Sequence, residues 1–109
     1  MEEILRELID KFNKKALEDE KMRKELEGIK RTIQVEFKDG ESYNFMIDNA
    51  RILNFSKGAV ANPDLKIISD TKTFDALMKR EMGPMKALAT GKLKIEGSLE
   101  DKLRLRKLL

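Results

Sequence analysis

Between Met82 and Leu109 the chain reads as helix, stop, strand, stop, helix, and no other stretch constrains the fold as tightly. Pro84 suits the first turn of a helix, where its missing N–H costs nothing, and Gly91 suits the left-handed residue that closes that helix two turns later. Leu93 and Ile95 then alternate with Lys92, Lys94 and Glu96, the period-two pattern of a half-buried strand. Gly97 breaks the pattern. Ser98 is a good N-cap, and Asp101 three residues on makes an imperfect capping box that launches a last helix through Leu99 and Leu103.

Upstream, Ile4, Leu5, Leu8, Ile9, Phe12 and Ala16 form one apolar stripe on a helix. Asp19 and Glu20 interrupt it, and Met22 and Leu26 resume a second short helix that stops at Gly28, a suitable left-handed cap. Ile29, Arg31, Ile33, Val35 and Phe37 alternate with polar neighbours, which predicts a strand with one buried face. Asp39-Gly40 signals a hairpin to a returning strand through Tyr43, Phe45 and Ile47, and Asp48-Asn49-Ala50 turns the chain again into Ile52 to Phe55. A looser segment, Lys57 to Asp64, precedes a fourth strand at Leu65 to Ser69. Asp70 or Thr71 can cap the next helix, which carries Phe74, Leu77 and Met78. The order is two helices, three strands in a meander, a fourth strand, two helices, a fifth strand and a helix. That order predicts an α+β fold, a mainly antiparallel sheet with helices packed on one face.

The tail resembles that of the sterol carrier protein type 2 family. Its residues are Met82-Gly83-Pro84, a short helix, Gly91-Lys92-Leu93-Lys94-Ile95, one residue, Gly97 and a Leu-rich helix. The likeness continues more weakly through Gly28, Asp64-Leu65-Lys66-Ile67 and Ala76-Leu77-Met78, so it covers nearly the whole chain, 1–109, as one sterol-carrier-protein-like lipid-binding domain. Two positions depart from the family pattern: Arg80 stands where the family often has Gly, and Gly83 where it often has Asn. The resemblance implies a five-stranded twisted sheet with the last strand inserted among the others. It also implies that acyl chains, fatty acyl-CoA or sterols are held between sheet and helices.

Composition limits the alternatives. At 109 residues a core is feasible with little to spare, since a chain this size buries roughly 65% of its unfolded surface. The chain has neither Cys nor His. That removes the disulfides, the thiolate and imidazole ligands of soft metals, and the usual base for a serine nucleophile. Asp39, Asp48 and Asp70 sit at turns or caps, where Asp has a structural task. Gly91-Lys92 lacks the upstream glycines and the following Ser or Thr of a phosphate loop. A non-enzyme is expected, with no cofactor and no metal.

Charged residues make up 39% of the chain, yet the net charge is only +3, which is no nucleic-acid-binding footprint. Residues 1–28 carry nine acids against seven bases, and residues 92–109 carry six bases against three acids. At most weak, salt-sensitive contact with a membrane surface is expected, through the basic tail. Met1 to Leu5 lead into an acidic amphipathic helix rather than an apolar run, so a cytoplasmic location is expected.

Met78, Met82 and Met85 cluster where two helices meet at Gly83-Pro84, and methionine fits irregular or variable apolar shapes. Ordinary core filling would account for them. With the family resemblance, they point instead to an adaptable lipid tunnel between the sheet and the helices from Phe74 to Ala89, closed by the helix from Leu99. The candidate ligand-lining residues are Phe74, Leu77, Met78, Met82, Met85, Leu88, Ala89, Leu93, Ile95, Leu99 and Leu103. Lys86, Lys92 or Arg104 would meet a carboxylate or phosphate at the mouth. The alternative is an interaction or accessory module on the same scaffold, its C-terminal leucines buried in a homodimer or complex. Leu105, Leu108 and Leu109 point away from Leu99 and Leu103 at 100° per residue, so the last helix is apolar on two sides.

Overall fold

The computed structural model describes residues 1–108, and the side chains of residues 1–105. Helix α1 (Glu2–Glu18) buries Leu5, Ile9 and Ala16, the centre of the predicted stripe. Asp19 leaves the helical conformation and turns its carboxylate on the Met22 N–H (3.1 Å), so one residue ends α1 and caps α2 (Glu20–Leu26). Gly28 follows in the left-handed region, as its position in the sequence predicts.

Strands β1 (Lys30–Phe37), β2 (Ser42–Asp48) and β3 (Arg51–Lys57) form the predicted antiparallel meander. The β2–β3 hairpin turns on Asn49 and Ala50, both at positive φ, the two-residue geometry whose twist matches that of the strands. The chain then crosses the sheet along residues 58–64 and returns as β4 (Leu65–Ser69), parallel to β1. On the face it crosses, the Val60 N–H donates to the amide oxygen of buried Gln34 (3.0 Å), and Asn44 donates to the Gly58 carbonyl (2.9 Å). A polar residue buried on that face is thereby satisfied.

Helices α3 (Thr71–Met78) and α4 (Pro84–Ala89) follow, then β5 (Lys94–Gly97) and α5 (Leu99–Leu108). Pro84 occupies the first turn of α4 and Gly91 has φ +75°, as expected from the tail. The Ser98 hydroxyl accepts from the Asp101 N–H (3.1 Å), so Ser98 is the cap of α5.

The strand order is β3-β2-β1-β4-β5. The sheet is mainly antiparallel, with the single parallel pair β1–β4. The expectation that the last strand inserts among the others is corrected here: β5 lies at the edge, paired with β4 alone. Once β4 is laid against β1, its outer edge is the open one beside the end of α4. Exposed Lys94 and Glu96 on β5 suit an edge, where charge discourages further pairing.

Register places Ile33, Val35 and Phe37 beside Phe45, Tyr43, Leu65, Ile67 and Ser69 on one face. These side chains make the core with Leu5, Ile9, Met22, Leu26 and Phe74. The helices therefore cover this one face.

Candidate functional site

Two flanks of α1 meet the sheet differently. On one flank, the Asn13 side chain accepts from the Ile52 N–H (2.7 Å) and donates to the Ile52 carbonyl (3.0 Å), taking both backbone groups of a β3 edge residue. On the same flank Arg6 lies over the Phe55 ring at 4.9 Å, and Phe55 stacks on Tyr43 at 5.7 Å. A helix puts Met1, Ile4 and Leu8 on the other flank. These three are only half-buried.

The sheet beyond that flank ends in β4 and β5, where Ile67 and Ile95 are direct cross-strand partners on the helix-covered face. Both are half-buried, as is Met78 near the end of α3. Ile4, Leu8, Ile67, Met78 and Ile95 are thus half-buried apolar side chains packed against the core that holds the buried Leu65 and Phe74. Only Met78 and Ile95 were singled out from the sequence. Ile4 and Leu8 lay inside a stripe wider than a single buried row, and that width was the available signal. Ile67 had no such signal, because strand alternation marks a face without saying which part of it a helix leaves open.

The remaining sequence candidates fall into three groups. Phe74 and Leu93 are buried. Leu77, Met82 and Leu88 are half-buried. Met85, Ala89, Leu99 and Leu103 are exposed, with Leu99 at 73%, Met85 at 56% and Leu103 at 48%. The structure does not bring Leu99 and Leu103 to the sheet, because α5 turns inward the side that carries Asp101 and the half-buried Leu105. Leu108 and Leu109 lie outside the described side chains.

That inward side is built on Asp101, which is 6% exposed although charged. Its carboxylate accepts from Arg31 Nε (3.0 and 3.1 Å) and from Arg104 (2.7 Å), and Arg104 also pairs with Glu100 (3.0 Å). Arg31 belongs to the row Arg31, Ile33, Val35, Phe37 on β1, so the pair ties α5 to the start of that strand. Arg104, a candidate from the sequence for the mouth of the tunnel, is engaged in this cluster, while Lys86 and Lys92 are exposed.

The carboxylates weighed for chemistry serve as anchors. Asp39 accepts from the Thr71 N–H (2.9 Å) and hydroxyl (2.6 Å), and Asp70 accepts from the Thr73 N–H (2.7 Å) and hydroxyl (2.8 Å). These hydrogen bonds hold both carboxyls below the usual range, Asp39 chiefly through the Thr71 hydroxyl and Asp70 chiefly through the Thr73 N–H. Among the described residues, no group of three or more His, Cys, Asp or Glu could hold a metal ion. Two open concavities, of about 520 and about 320 Å³, lie against α2 and are lined mainly by charged residues such as Glu20, Arg23 and Lys24.

The SCP-2 sterol transfer family matches residues 9–109, nearly the whole chain, from the middle of α1 to the end. The chain belongs to this family. Its members bind and transfer lipids. Sterol carrier protein 2 like 2 from Aedes aegypti has the same fold at a TM-score of 0.59 and 17% identity, over 94% of this chain and 95% of that one. A palmitated structure of the mosquito protein matches at a TM-score of 0.59 and 17% identity, over 74% of this chain and 73% of that one. The stereoselective inverting sec-alkylsulfatase Pisa1 from Pseudomonas sp. contains a similar fold, at a TM-score of 0.61 and 17% identity. There the likeness covers 78% of this chain but only 13% of the enzyme. No curated protein matches this chain by sequence. No helix among the described residues is long and apolar enough to cross a membrane.

Proposed function

We propose that the chain is a single, non-catalytic lipid carrier of the cytoplasm that holds one fatty acid or fatty acyl chain between α1 and the β4–β5 half of the sheet. The observation that carries this reading is that Ile4, Leu8, Ile67, Met78 and Ile95 are apolar yet only half-buried where they pack against the core; in this reading they make one lining. Half-burial leaves apolar area that a ligand chain can take out of water, at roughly 25 cal/mol per Å². Membership of a lipid-transfer family supports the reading, and so does the palmitated mosquito relative.

In this reading the buried Phe74 and Leu93 are floor, and the half-buried Leu77, Met82 and Leu88 move aside as the chain enters. Met78 and Met82 suit that movement, having three rotatable bonds and no branch. An empty cavity of about 300 Å³, the low end for ligand sites, would cost about 7 kcal/mol. That rivals the stability of a whole small domain, so the unliganded groove closes on itself.

Titration with a fluorescent long-chain fatty acid tests the proposal. Saturable binding near one ligand per chain is expected, together with a rise in melting temperature as ligand exceeds its Kd. Ile67→Glu places a charge in the lining and is expected to abolish binding while circular dichroism reports the same fold. Absence of saturable binding up to the solubility limit of the ligand would remove the carrier reading. The chain would then be better read as an interaction module.

A further inference from the structure

The two edges of the sheet are finished in opposite ways. At β3, the Asn13 side chain takes both the N–H and the C=O of Ile52, filling the place of a further strand. At β5 the edge is open. The Lys38 N–H donates to the Ser69 carbonyl (2.9 Å), and that bond sets the alternation along β4: Leu65, Ile67 and Ser69 turn their backbone groups to β1, Lys66 and Ile68 turn theirs to β5. Across from these two, Lys94 and Glu96 bond to β4, which leaves Leu93, Ile95 and Gly97 facing outward. The Leu93 N–H runs in that outward direction, donating to the Ala87 carbonyl of α4 (3.1 Å). Ile95, next in phase, gives its N–H and C=O to no other element among the described residues.

Charge decides which strand can use that edge. Lys94 and Glu96 are exposed, and neither has an ion-pair partner among the described residues. Lys66, across from Glu96, pairs with Glu36 instead (3.4 Å), and Lys94 lies across from Ile68. Alternating charge deters most strands from an edge. An antiparallel copy of β5 is the exception. With Ile95 opposite the partner's Ile95, the outward backbone groups meet in phase, and Lys94 faces the partner's Glu96 on both sides of the two-fold, about 5 Å apart at Cβ. A slip to the next register that keeps the backbone in phase sets Lys94 against the partner's Lys94, or Glu96 against the partner's Glu96, and like charges repel. The register centred on Ile95 satisfies backbone and charge together.

We propose that β5 pairs antiparallel with β5 of a second copy of this chain, joining two five-stranded sheets into one across a two-fold axis. The Ile95 N–H donates to the carbonyl of the partner's Ile95 and the reverse, and the Gly97 N–H donates to the carbonyl of the partner's Leu93. The axis stands perpendicular to the sheet, so the helix-covered faces of both copies lie on the same side, and the half-buried Ile95 meets its copy there. Four residues a side bury far less than the roughly 1,200 Å² of a stable interface, so the dimer is weak and forms with concentration. The inference does not rest on the carrier reading.

Sedimentation velocity of the full-length protein, from about 10 μM to about 1 mM, is expected to show a reversible equilibrium of monomer and dimer. Lys94→Glu sets acids against acids across the two-fold, and Glu96→Lys sets bases against bases. Each variant alone should dimerise at least about tenfold more weakly than wild type. An equimolar mixture of the two variants restores opposite charges, as does the double variant Lys94→Glu/Glu96→Lys. Both should return the dimer to within about threefold of wild type. Circular dichroism of every variant should match wild type, because both side chains are exposed. Wild-type protein that stays monomeric throughout the range would overturn the proposal. So would single variants that dimerise like wild type, or a mixture and a double variant that both stay monomeric. Fatty-acid titration is a separate readout: its failure beside a charge-dependent dimer removes the carrier function and leaves the interface standing.

Discussion

The two halves of this sheet are finished differently. Over β2 and β3, α1 is pinned by the Asn13 bridge to Ile52 and by Arg6 over Phe55, and the inward side chains Tyr43, Phe45, Ile47 and Ile52 are all buried. Over β4 and β5, Ile67 and Ile95 are half-covered, three short elements replace one long helix, and the last helix is tied to β1 by an ion pair. Under the proposed carrier reading, the difference separates the more fully packed half from the half that would take a ligand. The β2–β3 half has most of its inward apolar side chains buried, the half-buried Phe55 excepted, so less is left for a ligand to gain there. The open half retains apolar surface without full cover, and that surplus is what binding can use.

The contrast is sharpest at two leucines. Leu5→Ala, at a side chain with no exposure, should destabilise by about 3–4 kcal/mol through lost burial and the cavity left behind. Leu99→Ala, at an exposed position, should change stability by less than about 0.5 kcal/mol. Chemical denaturation of both variants measures the pair. Comparable losses at the two sites would break the comparison.

A second large effect is expected in the open half, where one residue bears unusual constraint. A Cβ added at Gly97 would stand 2.7 Å from Leu65 Cδ2 and 2.8 Å from the Asp64 carbonyl oxygen, with φ at +154°. Gly97→Ala should therefore cost about 2–3 kcal/mol and loosen the β4–β5 pairing, adding backbone strain to the overlap. Hydrogen exchange at Lys66 and Ile95 would report the loosening. An unperturbed variant would show that β5 tolerates displacement freely.

Arg80 offers the opposite sign. It has φ +60°, in the left-handed region that penalises a side chain, at the position where the resemblance noted from the sequence puts Gly. Arg80→Gly should raise stability by up to about 1 kcal/mol, as the strain of the turn before α4 is relieved. A fall in melting temperature would mean that the arginine side chain contributes more than its backbone costs.

The smallest effect concerns acid. Asp39 and Asp70 have carboxyls held below the usual value near 3.8 by hydrogen bonds to Thr71 and Thr73, opposed by some burial and, at Asp70, by the charge of Asp39. A carboxyl whose pKa is lowered on folding adds stability that is fully present above its unfolded pKa. That stability is lost as the pH falls through the folded one. The Asp39→Asn/Asp70→Asn variant keeps amide oxygens to accept the same bonds but does not titrate. Between about pH 5 and about pH 2 its melting temperature should fall less steeply than that of wild type. Parallel slopes would assign acid sensitivity to other carboxylates.

Much of the fold was legible because it rests on local rules. Gly28 and Gly91 adopt positive φ where a helix must stop, Asp70 caps α3, and Ser98 starts α5, whereas the capping of α2 by Asp19, read from the sequence only as an interruption, came from the structure. The candidate site was less legible. Met78 and Ile95 came from methionine clustering and strand alternation, but Ile4, Leu8 and Ile67 needed the position of α1 on the sheet. The outward turn of Leu99 and Leu103 was hidden for a related reason. Helical periodicity said that α5 has two apolar sides, whereas the choice between them depends on Arg31, seventy residues away in the chain.

The sequence by itself determined the elements, their order, their caps and the family, since these depend on residues within a few positions of one another. Tertiary structure alone decided the strand order, with β4 laid parallel to β1 and β5 left at the edge. It also decided which flank of α1 is pinned and which side of α5 is buried. The physical reason is that alternation and helical period mark a face as apolar without naming its partner. The partner was selected by contacts of long sequence separation, Asn13 to Ile52 and Arg31 to Asp101, whose energies exist only once the chain has closed.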